Sequence, residues 1–255
     1  MPLLMSALEA LIWLIAITVL MLVLKRWIHR HVQGIGLLLT GDPNRSFLFY
    51  SALLFPGTVL HESAHYLVAR LLEVRVRKFS LTPARQPRGL MRLGFVEIDR
   101  TDTVREALIG LAPLLAGSVA VLLLAPRELP ILDGNTALAA QLSDLLASLP
   151  RALTAPDFWL LLYLIFAISN GMLPSESDRQ AWKPIVIWFA IIAALLYVSG
   201  LLTSIPDPLE RGIAFGVRWL VRAFALAVVV DIFFVPIIFV LEKVLELLTR
   251  QRVRY

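Results

Sequence analysis

The sequence predicts an all-α polytopic membrane protein, with about six transmembrane helices and one small cytoplasmic β-hairpin or sheet. Three observations predict it. Hydrophobic residues make up 58% of the 255 and charged residues only 17%. The resulting mean hydropathy of +0.78 is one that a water-soluble domain of this length rarely carries. The apolar residues recur in runs near the roughly 20 residues that a helix needs to cross a bilayer. Lys and Arg gather between those runs, as they do in cytoplasmic membrane loops. That clustering makes the lipid bilayer the partner and removes the nucleic-acid reading that a net charge of +5 invites. With no cysteine there is no disulfide and no thiolate metal site, so any metal must be held by His, Asp and Glu.

The first predicted span, Leu3 to Leu24, has no basic segment before it and no small-residue cleavage site after it, so it reads as retained rather than as a signal peptide. Lys25, Arg26, Arg30 and Arg45 then read as a basic loop, with His29 and His31 on a solvated face and residues 32–41 able to dip into the bilayer. Residues 1–46 thus form one N-terminal unit, and a second span follows over Phe47 to Leu72.

After it, Val74 and Val76, then Leu93, Phe95 and Val96, flank a Pro- and Gly-bearing turn region, the pattern of a hairpin. This stretch carries Arg75, Arg77, Lys78, Arg85, Arg88, Arg92 and Arg100, and the positive-inside rule places it in the cytoplasm. The basic residues after the first span run against that rule. A third span, Ala107 to Ala125, an amphipathic helix over 135–148 and a fourth span, Phe158 to Leu173, complete a core of residues 47–182. Spans at Pro184 to Leu202 and Ala223 to Leu245, with a basic tail, make up residues 183–255. Asp231, deep in the last span, calls for a polar partner, either Arg218, Arg222 or a residue on another helix. Tyr163 and Trp182 read as interfacial anchors.

The stretch FPGTVLHESAHY puts His61, Glu62 and His65 inside the second span, where ionisable groups are costly and mark function. Helical residues four apart share a face, so His61 and His65 aim at one ion with Glu62 beside them. This is the HExxH arrangement for Zn²⁺, with Glu62 placed to take a proton from the attacking water and pass it to the leaving amine. Zinc held by two histidines needs a third protein ligand. The candidates lie in SNGMLPSESDRQAW, on the same predicted membrane side: Asp178, with Glu176 as the rival carboxylate. Pro56 and Gly57, one turn before His61, serve either as a kink that admits water or as packing residues.

An HExxH helix, a following hairpin, a span with small residues (GLAPLLAGS, 110–118) and a later span ending in Asn170, Pro174 and Asp178 together resemble the site-2 protease family of intramembrane zinc metalloproteases. The resemblance covers about Phe47 to Trp182. The family's second motif, NxxPxxxLDG, matched from Asn170, reaches its Asp at Asp178, which the resemblance implies as the third zinc ligand. Pro174 comes one position later than in that motif, Ser177 replaces its Leu and Arg179 its Gly. The resemblance further implies that Asn170 holds substrate or orients the site loop, and that the hairpin offers an edge to an unwound substrate strand. The activity it implies is hydrolysis of peptide bonds in or near transmembrane segments of membrane-protein substrates, in a multi-pass protein of the cell membrane with its site towards the cytoplasm. Two other classes compete. A catalytically silent scaffold binding transmembrane partners draws on the Arg179 departure but has no need of Glu62. A metal transporter needs further ligands along a path, and the other spans offer little beyond Asp231.

Overall fold

Long runs of Leu, Ala and Ile give the chain its helices, and the computed structural model is mostly helical. It describes residues 2–85, 91–125, 138–180 and 207–253, with isolated residues between 182 and 199. The elements in order are α1 (Pro2–Thr40), α2 (Pro43–Leu53), α3 (Phe55–Leu71), β1 (Val76–Ser80), β2 (Ala84–Arg85), β3 (Met91–Arg92), β4 (Phe95–Ile98), α4 (Thr103–Leu123), α5 (Leu138–Thr154), α6 (Phe158–Met172) and α7 (Asp207–Thr249).

Among the described residues, three helical stretches are long and apolar enough to cross a membrane: Leu11–Thr40, Thr103–Leu123 and Arg211–Thr249. Large apolar side chains such as Ile12, Ile15 and Val23 on α1 and Ile232, Ile237 and Val240 on α7 are exposed, a surface that suits lipid better than water. Six spans are not shown, and the second and fourth predicted spans look different in the structure. The predicted second span is two helices, broken at Leu54, because Pro56 opens α3 and has no N–H to extend the ladder. Tyr163 is no mere interfacial anchor: its hydroxyl donates to Leu53 O at 3.0 Å, satisfying a carbonyl beside the break. The fourth predicted span is α6, whose 15 residues reach only about 23 Å. The fifth lies almost wholly outside the described residues, as does the start of the amphipathic helix, which otherwise appears as α5.

The basic loop predicted after Leu24 is helix, since α1 runs on to Thr40 and ends at Gly41 with a positive φ of 65°. The reason is that its polar residues find partners. His31 Nδ1 meets the Glu242 carboxylate of α7, His29 Nδ1 meets the Tyr50 hydroxyl of α2 at 3.0 Å, and Trp27 stacks on His31. Arg26 and Arg30 remain exposed on the opposite side. Met21, Ile28, Val32 and Ile35 line the buried stripe of α1 at helical spacing and pack in one core with Ala223, Phe224, Ala227 and Val230 of α7 and Phe166 of α6.

Asp42 and Asp102 cap α2 and α4 through backbone N–H groups, Asn44 and Arg45 for the first, Val104 and Arg105 for the second. Arg105 N–H leads the interactions holding the Asp102 carboxyl below its usual range. The predicted hairpin is present as β1 paired antiparallel with β4, with Phe79 opposite Val96, Ser80 opposite Phe95 and a register shift between Val76 and Lys78. A shorter pair, β2 with β3, extends it.

Glycines set how closely the helices approach. A Cβ on Gly57 would stand 2.0 Å from Ala167 O, and one on Gly171 3.0 Å from the Gly57 backbone, so α3 crosses α6 through a pair of glycines. Gly57 is therefore a packing residue. A Cβ on Gly117 would likewise stand 2.3 Å from Met172 Cβ, whereas one on Gly212 would meet nothing within 4 Å. Gly57→Ala is expected to destabilise the protein by about 1–3 kcal/mol, and Gly212→Ala to leave stability unchanged or raise it by about 0.5–1 kcal/mol, read as Tm in detergent micelles.

Candidate metal centre

His61 and His65 lie one turn apart on the face of α3 that meets α4 and α6. His61 Nδ1 donates to Gly171 O and His65 Nδ1 to Ile109 O, each at 2.8 Å. These two carbonyls are ones their own helices leave open. The residue four beyond Ile109 is Pro113, which has no N–H, and Gly171 sits in the last turn of α6. A carbonyl only accepts, so both Nδ1 atoms carry the proton, and a neutral imidazole protonated there presents its lone pair at Nε2.

The two Nε2 atoms stand 3.1 Å apart, with the rings edge to face at 81°. Asp178 completes the group, its Oδ2 3.7 Å from His61 Nε2 and its Oδ1 3.4 Å from His65 Nε2. One ligand atom from each of the three residues lies within 4.8 Å of the others, a grouping that could hold a metal ion. Three acceptors facing one another repel unless a cation lies among them. Glu176, the rival, is exposed and stands outside the group.

Asp178 reaches the group because the loop after α6 folds back onto α4. Ser175 donates to Asp178 Oδ2 from its backbone N–H at 2.7 Å and its hydroxyl at 2.6 Å. These two Ser175 donors favour the ionised carboxylate, the form that a metal needs. Gly110 permits the docking, since a Cβ there would stand 2.4 Å from Asp178 O. Trp182, expected as an interfacial anchor, donates from its indole to Ala107 O at 3.2 Å and pins the same loop.

Glu62 is buried and shares with the three ligand residues a cavity of about 380 Å³. Gly94, just before β4, lies directly over it: a Cβ on Gly94 would stand 2.8 Å from Glu62 Cγ. Asn170 also lines the cavity, but its amide is largely committed. Nδ2 donates to Phe166 O at 3.0 Å and to Asp231 Oδ1 at 2.8 Å, which fixes Oδ1 as an acceptor that is buried with no partner. The partner of Asp231 is therefore on another helix, while Arg218 donates from Nε to Ala214 O in its own helix.

Three contributors escaped the sequence reading. Lys25 and His29 line the cavity from α1 and Ser175 orients Asp178. The four-residue spacing of Lys25 and His29 is a helix-face signal that reading this stretch as a loop conceals. Likewise the spacing from Ser175 to Asp178 is that of a local side-chain turn. Comparison of the chain with protein-family models, with curated proteins and with solved structures finds no match.

Two outcomes are expected for metal binding, measured by elemental analysis and by competition with a chelator. Asp178→Asn should strip the metal while Glu176→Gln leaves it in place. Pro113→Ala, which gives Ile109 O a rival N–H, should weaken metal affinity by about tenfold, at the low end for loss of an outer-shell bond, although Ala favours the helix.

Proposed function

We propose that the chain is a zinc-dependent intramembrane endopeptidase of the site-2 protease type, hydrolysing peptide bonds in or near the transmembrane segments of membrane-protein substrates. The observation that carries this reading is the convergence of His61, His65 and Asp178 in one cavity with Glu62. Tetrahedral zinc with bonds of about 2.0–2.1 Å keeps its ligand atoms about 3.3 Å apart. The separations of 3.1, 3.4 and 3.7 Å suit that geometry, and the all-nitrogen-and-oxygen donor set suits zinc. When bound, the metal supplies a Lewis acid that polarises the scissile carbonyl and makes hydroxide available near neutral pH.

The chain's own groups have distinct tasks. Glu62 takes the proton from the attacking water and hands it to the departing amine. The carbonyls of Ile109 and Gly171 keep both imidazoles turned inward through the cycle. A helical substrate hides its backbone in its own hydrogen bonds and must unwind before it can react. An outer edge of the β1–β4 sheet, two-stranded among the described residues, offers an unwound strand new bonds, and Asn170 Oδ1 offers an acceptor for a backbone N–H. The membrane placement belongs to the same proposal: a multi-pass protein of the cell membrane with the hairpin and site towards the cytoplasm, as the basic residues of the hairpin favour.

Glu62→Gln is the deciding variant. It should retain zinc and lose cleavage of membrane-anchored substrates by about 10²–10⁴-fold, measured in detergent and in vesicles. Undiminished cleavage by Glu62→Gln, or a wild type that purifies without binding zinc when it is supplied, overturns the reading.

A further inference from the structure

Lys25, His29 and Tyr50 line the metal-centre cavity, yet no step above uses them. Lys25 and His29 stand one turn apart on α1, and the Tyr50 hydroxyl of α2 joins His29 Nδ1 at 3.0 Å. Lys25 is the one Lys or Arg among the residues that line the cavity. Among the described residues its ammonium makes no hydrogen bond or close ion pair; the charges acting on it are an attraction to Asp231 and a repulsion from Arg179. Asp231 is 1% exposed and already accepts the Asn170 N–H, so it is a poor occupant for this recess.

His29 Nε2 is buried without a hydrogen bond among the described residues. An unfilled ring nitrogen in a sheltered recess is costly until a ligand completes it. The acidic groups of the cavity already have places, Asp178 in the metal group and Glu62 beside it, so Lys25 is the cation left for a ligand, with Arg179 adding to the positive field around it. Arg179 is the residue that stands where the NxxPxxxLDG pattern has its glycine, and α1 lies outside the stretch over which the resemblance runs.

We propose that Lys25, His29 and Tyr50 form a carboxylate-binding subsite, which selects substrates bearing an acidic group close to the bond presented at the metal centre. The proposal rests on the protease reading and adds the substrate class to it. A carboxylate fits because its two oxygens accept from an ammonium and from a hydroxyl or ring N–H together. It is also the anion that a peptide lying along the same cavity carries. Its source is either an Asp or Glu side chain or the free carboxylate of a peptide C-terminus, and the chemistry of the recess is the same for both.

The test uses the full-length Glu62→Gln protein, zinc-loaded and in detergent, so that binding is read without turnover. Fluorescent apolar peptides are compared in two pairs, one differing by Glu against Gln at a single position and the other by a free against an amidated C-terminus. In at least one pair the charged member is expected to bind about tenfold tighter. The pair that shows the preference names the source. Adding Lys25→Met should abolish the preference, whereas Lys25→Arg and Arg26→Met, the latter at an exposed position on the same helix, should retain it. Zinc is present throughout, so attraction of a carboxylate to the metal is common to all variants. Equal affinities in both pairs, or a preference that survives Lys25→Met, overturns the subsite. Wild-type cleavage without any such preference removes the subsite and leaves the protease; a Lys25-dependent preference without cleavage does the reverse.

Discussion

Two backbone carbonyls, Ile109 O and Gly171 O, decide which way the imidazoles of α3 face, and the remainder of the centre follows from that constraint. An imidazole that donates from Nδ1 has only Nε2 left to offer a cation, so the ring orientation and the tautomer are set together. Helix carbonyls are ordinarily consumed within their own ladder. Here one is released by the missing N–H of Pro113 and the other by the end of α6, so irregularities in two neighbouring helices become the ligands' anchors.

Anchoring of this kind demands close approach, and the small residues supply it. Gly57 and Gly171 bring α3 against α6, and Gly110 lets the loop bearing Asp178 lie on α4. In lipid the helices gain little from excluding water, so close van der Waals contact and shared hydrogen bonds must hold them together. The Asn170 to Asp231 bond extends the same logic to α7. The contact between His31 and Glu242 ties α1 to α7 away from the cavity, leaving Lys25 and His29 on the side that faces it.

The sequence made the centre more legible than the helices around it. His61 and His65 are readable because a four-residue spacing has one geometric meaning on a helix, and Asp178 because a motif spacing reached it. The break at Leu54 was hidden since hydropathy is continuous across it, and only the backbone chemistry of Pro56 betrays it. The extension of α1 was hidden for the opposite reason. Basic residues read as loop when nothing in the local pattern reveals that Tyr50 and Glu242 wait on other helices to meet their histidine neighbours. The roles of Pro113 and Ser175 depend on contacts across the chain and on one local turn, which periodicity does not report.

The contact of Gly94 with Glu62 has a mechanical consequence. With the main chain before β4 resting on the side chain of Glu62, the carboxylate has a ceiling, and the height of that ceiling is set by where the sheet lies. Any displacement of the sheet, including one caused by a third strand joining its edge, changes the arc through which the carboxylate can swing. In the proposed protease, strand capture and the readiness of the acid to move a proton would thereby be geared to one another through a single residue without a side chain.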